Sequence, residues 1–210
     1  EVSLHPESEV GDALKELGEN SLSVMIDPAL APAWFFDRLQ EAGADIVKAP
    51  DPCALPRARK NRTEIEGTRR AHIRDGAAIS RFLHWVAHEA QDGSVTEIDA
   101  ARKLEQFRAQ SNLLNDISFD SISAAGSNGA HCHYRVTTES NKKLERGTLY
   151  LIDSGGQYPD GTTDITRTVP IGDPTEEMRR CYTLVLKGHI ALATALFPRG
   201  TSGPQLDAFA

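Results

Sequence analysis

Apolar residues recur at helical spacing through Ile65, Ile73, Ala77, Phe82 and Val86, which predicts a long helix from residue 63 to about residue 91. Thr63 and Glu66 at its start have the spacing of a capping box, in which each side chain satisfies the other's exposed backbone N–H. Thr96 with Asp99 predicts a second helix, whose inner face is read as Ile98, Ala101, Leu104 and Phe107. The period then shortens. Residues 119–124, 131–136 and 148–152 read as strands, and Asp173-Pro174-Thr175-Glu176 opens another helix running to about Leu196, stopped by Phe197-Pro198. Upstream, two short apolar runs at 23–26 and 45–47 flank a helical stretch at 33–42 that Gly43 ends.

Between these two groups lies "APDPCALPRARKNRTE", where Pro50, Pro52 and Pro56 stand beside a basic cluster. Proline density with charge marks a linker, so a boundary is placed near residue 60. Downstream, helices flank several antiparallel strands, the pattern of an α+β layer domain. No internal repeat or low-complexity tract is found.

Composition narrows the function classes. The 210 residues are 40% hydrophobic and 25% charged, as expected of a chain with a real core. There are 23 basic against 30 acidic residues, a net charge of −7, which argues against a nucleic-acid partner. No apolar run approaches the ~20 residues that span a bilayer, and no leader is evident, so a cytoplasmic, membrane-free protein is expected. Three cysteines, Cys53, Cys132 and Cys181, do not pair by spacing and fit a reducing compartment. Leu206 and Phe209 begin an apolar stripe just before Ala210, so the chain is expected to be a fragment.

Candidate chemistry concentrates in "YLIDSGGQYPDGTTDITRT", residues 150–168. Asp153 directly follows Leu151 and Ile152, where burying a carboxylate is expensive unless something offsets its charge. A hairpin centred on Tyr158-Pro159 would set Asp153 and Asp164 directly opposite, ~5 Å apart at Cβ, suited to a two-metal hydrolase. A turn at Asp160-Gly161 would instead put Asp164 opposite Gln157, with the carboxylates about 13 Å apart along the strand. The alternative is that both are plain turn aspartates, although Thr162, Thr163, Ile165, Thr166 and Val169 around Asp164 favour a strand. "GSNGAHCHYR" supplies His131 and His133, which in a strand would share a face and could bind metal, or be ordinary exposed histidines. His84 and His88 lack the glutamate of a His-Glu-x-x-His helix and are read as structural or surface residues. Gly155-Gly156 lacks a strand-to-helix phosphate-loop context, and no Gly-x-Ser-x-Gly elbow is present.

Taken together, "GSNGAHCHYR", "LIDSGGQY" and "TTDITRT" resemble, in order and spacing, aminopeptidase P, the Xaa-Pro aminopeptidases of the pita-bread metallopeptidases. The resemblance covers residue 60 onward. It implies that residues 60–210 are the first half of a pita-bread catalytic domain, truncated, and that residues 1–59 are the end of a preceding non-catalytic α/β domain plus linker. It further implies two divalent metal ions, manganese by preference, held by two aspartates, a histidine and two glutamates. Asp153 matches the first aspartate ligand and Asp164 the bridging one. His133 matches a substrate-contacting, proton-handling histidine, and His131 matches no functional position. The implied reaction is hydrolysis between an N-terminal residue and a following proline by a metal-bridging hydroxide, with such peptides as partners and a homodimer as the full-length state. Nothing after Asp164 supplies the remaining His and Glu ligands, so this chain alone is expected to be inactive.

Three rivals stand beside that expectation. One is a non-catalytic pita-bread binding module; another is a sister peptidase, prolidase or methionine aminopeptidase. The third is a mononuclear zinc hydrolase using His131 and His133.

Overall fold

The computed structural model describes residues 2–210 and divides into two compact units, Glu1–Arg62 and Thr63–Ala210. In the first, α1 (Val10–Glu19) is followed by β1 (Ser23–Ile26), α2 (Ala33–Glu41) and β2 (Asp45–Lys48). β1 and β2 pair in parallel, Ser23 opposite Asp45, with α2 as the crossover, a β-α-β unit. Leu14 of α1 and Leu39 of α2 are buried, and α1 lies so close to the end of α2 that a Cβ at Gly18 would stand 2.4 Å from that of Ala42. The proline-rich segment read as a linker contains a short helix, α3 (Ala54–Ala58). Pro56 is tolerated there because the first helical turn needs no N–H donor.

The second unit opens with α4 (Arg62–Glu89) and α5 (Glu97–Ala109). α4 begins one residue ahead of Thr63, so Thr63 lies inside the first turn and is not the expected cap. The cap of α5 is as expected: Thr96 Oγ1 accepts from the Asp99 N–H at 3.2 Å and Asp99 Oδ2 from the Thr96 N–H at 3.1 Å. The strands are β3 (Asp116–Ile117), β4 (Ile122–Ala125), β5 (Thr148–Ser154), β6 (Gly156–Tyr158), β7 (Gly161–Thr162) and β8 (Ile165–Ile171). They form two antiparallel three-stranded sheets, in the orders β4-β5-β8 and β3-β6-β7. After them come α6 (Glu176–Thr194), capped by Thr175, and α7 (Gly203–Leu206).

The core lies between α4, α5 and one face of β4-β5-β8. Ile79, Phe82 and Val86 of α4 and Ala100 and Leu104 of α5 meet Ala125, Tyr150, Ile152 and Ile171. The inward line of α4 differs from the expected one. Gly67, Ala71, Asp75 and Ala78 are buried, while Ile73 is 76% exposed. Small residues and one acid face inward because the hairpin joining β6 to β7 docks there: a Cβ at Gly67 would stand 2.3 Å from the Asp160 carbonyl oxygen. On α5 the buried line is Glu97, Ala100, Leu104 and Arg108, with a charged residue at each end. Residues 131–136 are not a strand. Gly126–Ala130 forms a short 3-10 helix and the chain then turns, His133 adopting a left-handed φ of 54°.

Candidate metal centre

β5 alternates strictly, turning Tyr150, Ile152 and Ser154 into the core. Asp153 therefore sits on the opposite face and is only half-buried. Its carboxylate avoids the cost of full burial because a period of two sends it away from the helices. β4 and β8 flank β5 and place Ile122 and Thr166 directly opposite Asp153. The Thr166 hydroxyl donates to Asp153 Oδ1 at 2.8 Å, fixing one carboxylate oxygen.

The register is neither of the two expected from the sequence. The hairpin turn is Pro159-Asp160, with Tyr158 opposite Gly161 and Gln157 opposite Thr162. Asp153 pairs with Thr166 and Ser154 with Ile165, so counting along the ladder sets Asp164 across from Gly155, diagonal to Asp153. Diagonal partners on one face lie within ~7–8 Å, close enough for their side chains to meet. They do meet. Lost hydration raises the Asp164 carboxyl above its usual range, and the charge of Asp153 and a hydrogen bond to it raise it further.

Gly155-Gly156 makes this geometry possible. A Cβ at Gly155 would lie 1.9 Å from the Thr163 carbonyl oxygen, and one at Gly156 2.8 Å from the Tyr158 ring. The pair is a close backbone approach between strands rather than a turn or a phosphate loop.

Behind the two aspartates lies a buried polar network absent from the sequence-based reading. Asp75 of α4 and Arg108 of α5 are both fully buried and pair in a fork, Nε to Oδ1 at 2.7 Å and Nη2 to Oδ2 at 3.1 Å. Tyr158 donates to Asp75 Oδ1 at 2.7 Å and Thr163 to Asp75 Oδ2 at 3.0 Å. Arg108 Nη2 also reaches Ser154 Oγ at 3.1 Å. Ser154 and Thr163 are the chain neighbours of Asp153 and Asp164, so the network anchors both aspartate-bearing strands from the core side. Burial raises the Tyr158 phenol well above its usual range, and its bond to Asp75 adds to the shift. Burial alone would also raise Asp75, but the hydrogen bonds and charge of Arg108, with Tyr158 and Thr163, bring it below the usual range.

Two carboxyl groups that repel on an open sheet face are hard oxygen donors of the kind divalent cations take. The pair fits such an ion as far as it goes, but among the described residues no cluster of three or more His, Cys, Asp and Glu could hold one. The structure brings Asp153 and Asp164 together. His131 and His133 do not join them, and His131, Cys132 and His133 are exposed on the loop after the 3-10 helix. The shared-face argument for His-x-His fails because that loop is a turn. His84 and His88 stack at 4.2 Å on the exposed side of α4.

The metallopeptidase family M24 profile matches residues 66–210, and the chain belongs to that family. It is 49% identical over 181 residues to a probable Xaa-Pro aminopeptidase P of Laccaria bicolor, an alignment covering 83% of this chain and 28% of that protein. A probable Xaa-Pro aminopeptidase P of Paracoccidioides brasiliensis is 38% identical across 100% of this chain and 36% of its own length. The chain thus spans about a third of these relatives. Among solved structures, the X-prolyl aminopeptidase of Caenorhabditis elegans, described as a cytosolic enzyme with a di-nuclear active site, superposes with a TM-score of 0.84. That match has 34% identity and covers 99% of this chain and 35% of the other. The α+β fold is that of the pita-bread metallopeptidases.

Proposed function

We propose that the full-length protein is a metal-dependent aminopeptidase that hydrolyses the bond between an N-terminal residue and a following proline. The observation that carries this is the strand register that sets Asp164 diagonal to Asp153 on one sheet face, within a chain 49% identical to a probable Xaa-Pro aminopeptidase P. Residues 1–59 are then the C-terminal part of a non-catalytic α/β domain with its linker, and residues 60–210 the N-terminal half of the catalytic domain. Asp153 and Asp164 would hold two divalent ions, manganese by preference, with Asp164 touching both. When bound, such ions supply Lewis acidity at the scissile carbonyl and an acidified water. Thr166 keeps Asp153 oriented, and His133 contacts the substrate and moves a proton at the scissile bond. A cytoplasmic homodimer acting on peptides with proline second completes the reading. The 210-residue chain supplies two ligands only, so it should bind manganese weakly and leave peptides intact.

The test uses the full-length protein with manganese on a tripeptide with proline second and a control with alanine second. Release of the first residue from the proline peptide alone, abolished by Asp164→Asn, supports the assignment. Folded, metal-loaded protein that cleaves neither peptide would favour the non-catalytic binding module. Cleavage restricted to dipeptides would favour a prolidase.

A further inference from the structure

Glu97, at the first position of α5, is fully buried although it is an acid. Burying a carboxyl is costly unless donors surround it. Here four donors meet it. At the end of β4 the Ala125 N–H donates to Oε1 at 2.6 Å, and from the 3-10 helix Asn128 Nδ2 donates to Oε1 at 2.9 Å. The Tyr134 hydroxyl donates to Oε2 at 2.9 Å, and the Lys142 N–H reaches Oε2 at 3.0 Å.

These contacts bracket one short segment. Asn128 lies just before His131-Cys132-His133 and Tyr134 just after it, and the two touch each other, Asn128 Nδ2 to Tyr134 OH at 2.8 Å. Within the bracket, the His131 N–H donates to the Asn128 carbonyl at 3.1 Å and the Tyr134 N–H to the His131 carbonyl at 3.2 Å. Ser140 closes the far side, its Oγ 2.8 Å from the Tyr134 hydroxyl. His133 itself is exposed and holds a left-handed φ of 54°. A non-glycine residue keeps that conformation only when its surroundings impose it, and such strain gathers at functional positions.

We infer that Glu97 is a positioning residue: by gripping Asn128 and Tyr134 it sets the backbone that aims the His133 ring at the peptide substrate. This rests on the reading of His133 as the substrate-contacting histidine. Glu97 touches neither substrate nor metal ligands and acts through the loop. Misplacing a reacting group by on the order of 1 Å can cost about 100-fold in rate, so loosening the bracket should appear in turnover.

The experiment is a double-mutant cycle in the full-length enzyme with manganese and a proline-second tripeptide, measuring kcat, KM, manganese affinity and the thermal midpoint. Glu97→Gln keeps the shape but turns an amide nitrogen toward donors; Tyr134→Phe removes one arm of the bracket and leaves the carboxyl. Each should lower kcat about tenfold or more while manganese affinity holds. His133→Ala should lower it about 100-fold, and adding either variant to His133→Ala should cost nothing more. Losses that multiply in the double variants would show a general structural role and overturn the inference. So would full kcat in both single variants while His133→Ala is impaired. If His133→Ala itself keeps full turnover, the role of His133 falls and this inference with it. Should Glu97→Gln not fold, Tyr134→Phe carries the same cycle.

Discussion

Asp75 gathers four hydrogen bonds at complete burial, and its partners lie as many as 88 residues away in sequence. Removing one member of such a pair strands the other charge in the core, which costs about 3–5 kcal/mol. Arg108→Ala is therefore expected to lose about that much in urea unfolding, far more than a surface arginine. The pH dependence follows from the lowered carboxyl of Asp75. A carboxylate depressed in the folded state contributes stability above its unfolded value of about 3.9 and loses it as pH falls through the folded value. Asp75→Asn should thus be less stable than the parent at pH 6 and show a flatter acid limb in the pH–stability curve. His131 sits in the same loop as His133, and His131→Ala should leave the activity of the full-length enzyme largely intact. A complete loss in that variant would restore the mononuclear zinc reading. Asp153, Asp164 and His133 were visible in the sequence as residues. Asp75, Arg108 and Glu97 were not, because a charged side chain at a helical position reads as solvated until its partners are brought to it.

Elements were legible where local signals agree. The Thr96–Asp99 box starts α5, Thr175 starts α6, and the apolar run within 148–152 makes β5. They were misread where docking overrides periodicity. α4 turns Gly67 rather than Ile73 inward because the Pro159-Asp160 turn packs on it and the Asp160 carboxylate is forked by Arg74, both nitrogens at 3.0 Å. A helical Gly→Ala change ordinarily stabilises by about 1 kcal/mol. Gly67→Ala should do the reverse, since its Cβ would meet the Asp160 carbonyl oxygen at 2.3 Å, and a loss of about 1–3 kcal/mol is expected by thermal unfolding. A gain would mean that the hairpin does not dock on α4. The 131–136 segment was expected to be a strand from its residue types, but the Glu97 contacts pull it into a turn.

At the scale of the whole molecule, α6 leaves its apolar residues uncovered. No residue of α6 is buried, and Leu184, Val185 and Ile190 are 53%, 73% and 51% exposed. A helix with exposed apolar residues all round seeks partner surfaces. The 210-residue chain should therefore associate with rising concentration in light scattering, and Val185→Lys should reduce that association; a strictly monomeric chain at high concentration would contradict it. Among the described residues no helix is long and apolar enough to cross a membrane. By itself the sequence determined the starts of α5 and α6 and the strand β5, and it offered Asp153, Asp164 and His133 as candidates, because caps, turns and periodicity act over a few residues. Only the tertiary structure decided the register that sets Asp164 diagonal to Asp153, the Asp75–Arg108 anchor behind them and the Glu97 bracket around the histidine loop. Each of those joins residues far apart in the chain, and a hydrogen bond or a strand pairing has no local signature until both halves share one place.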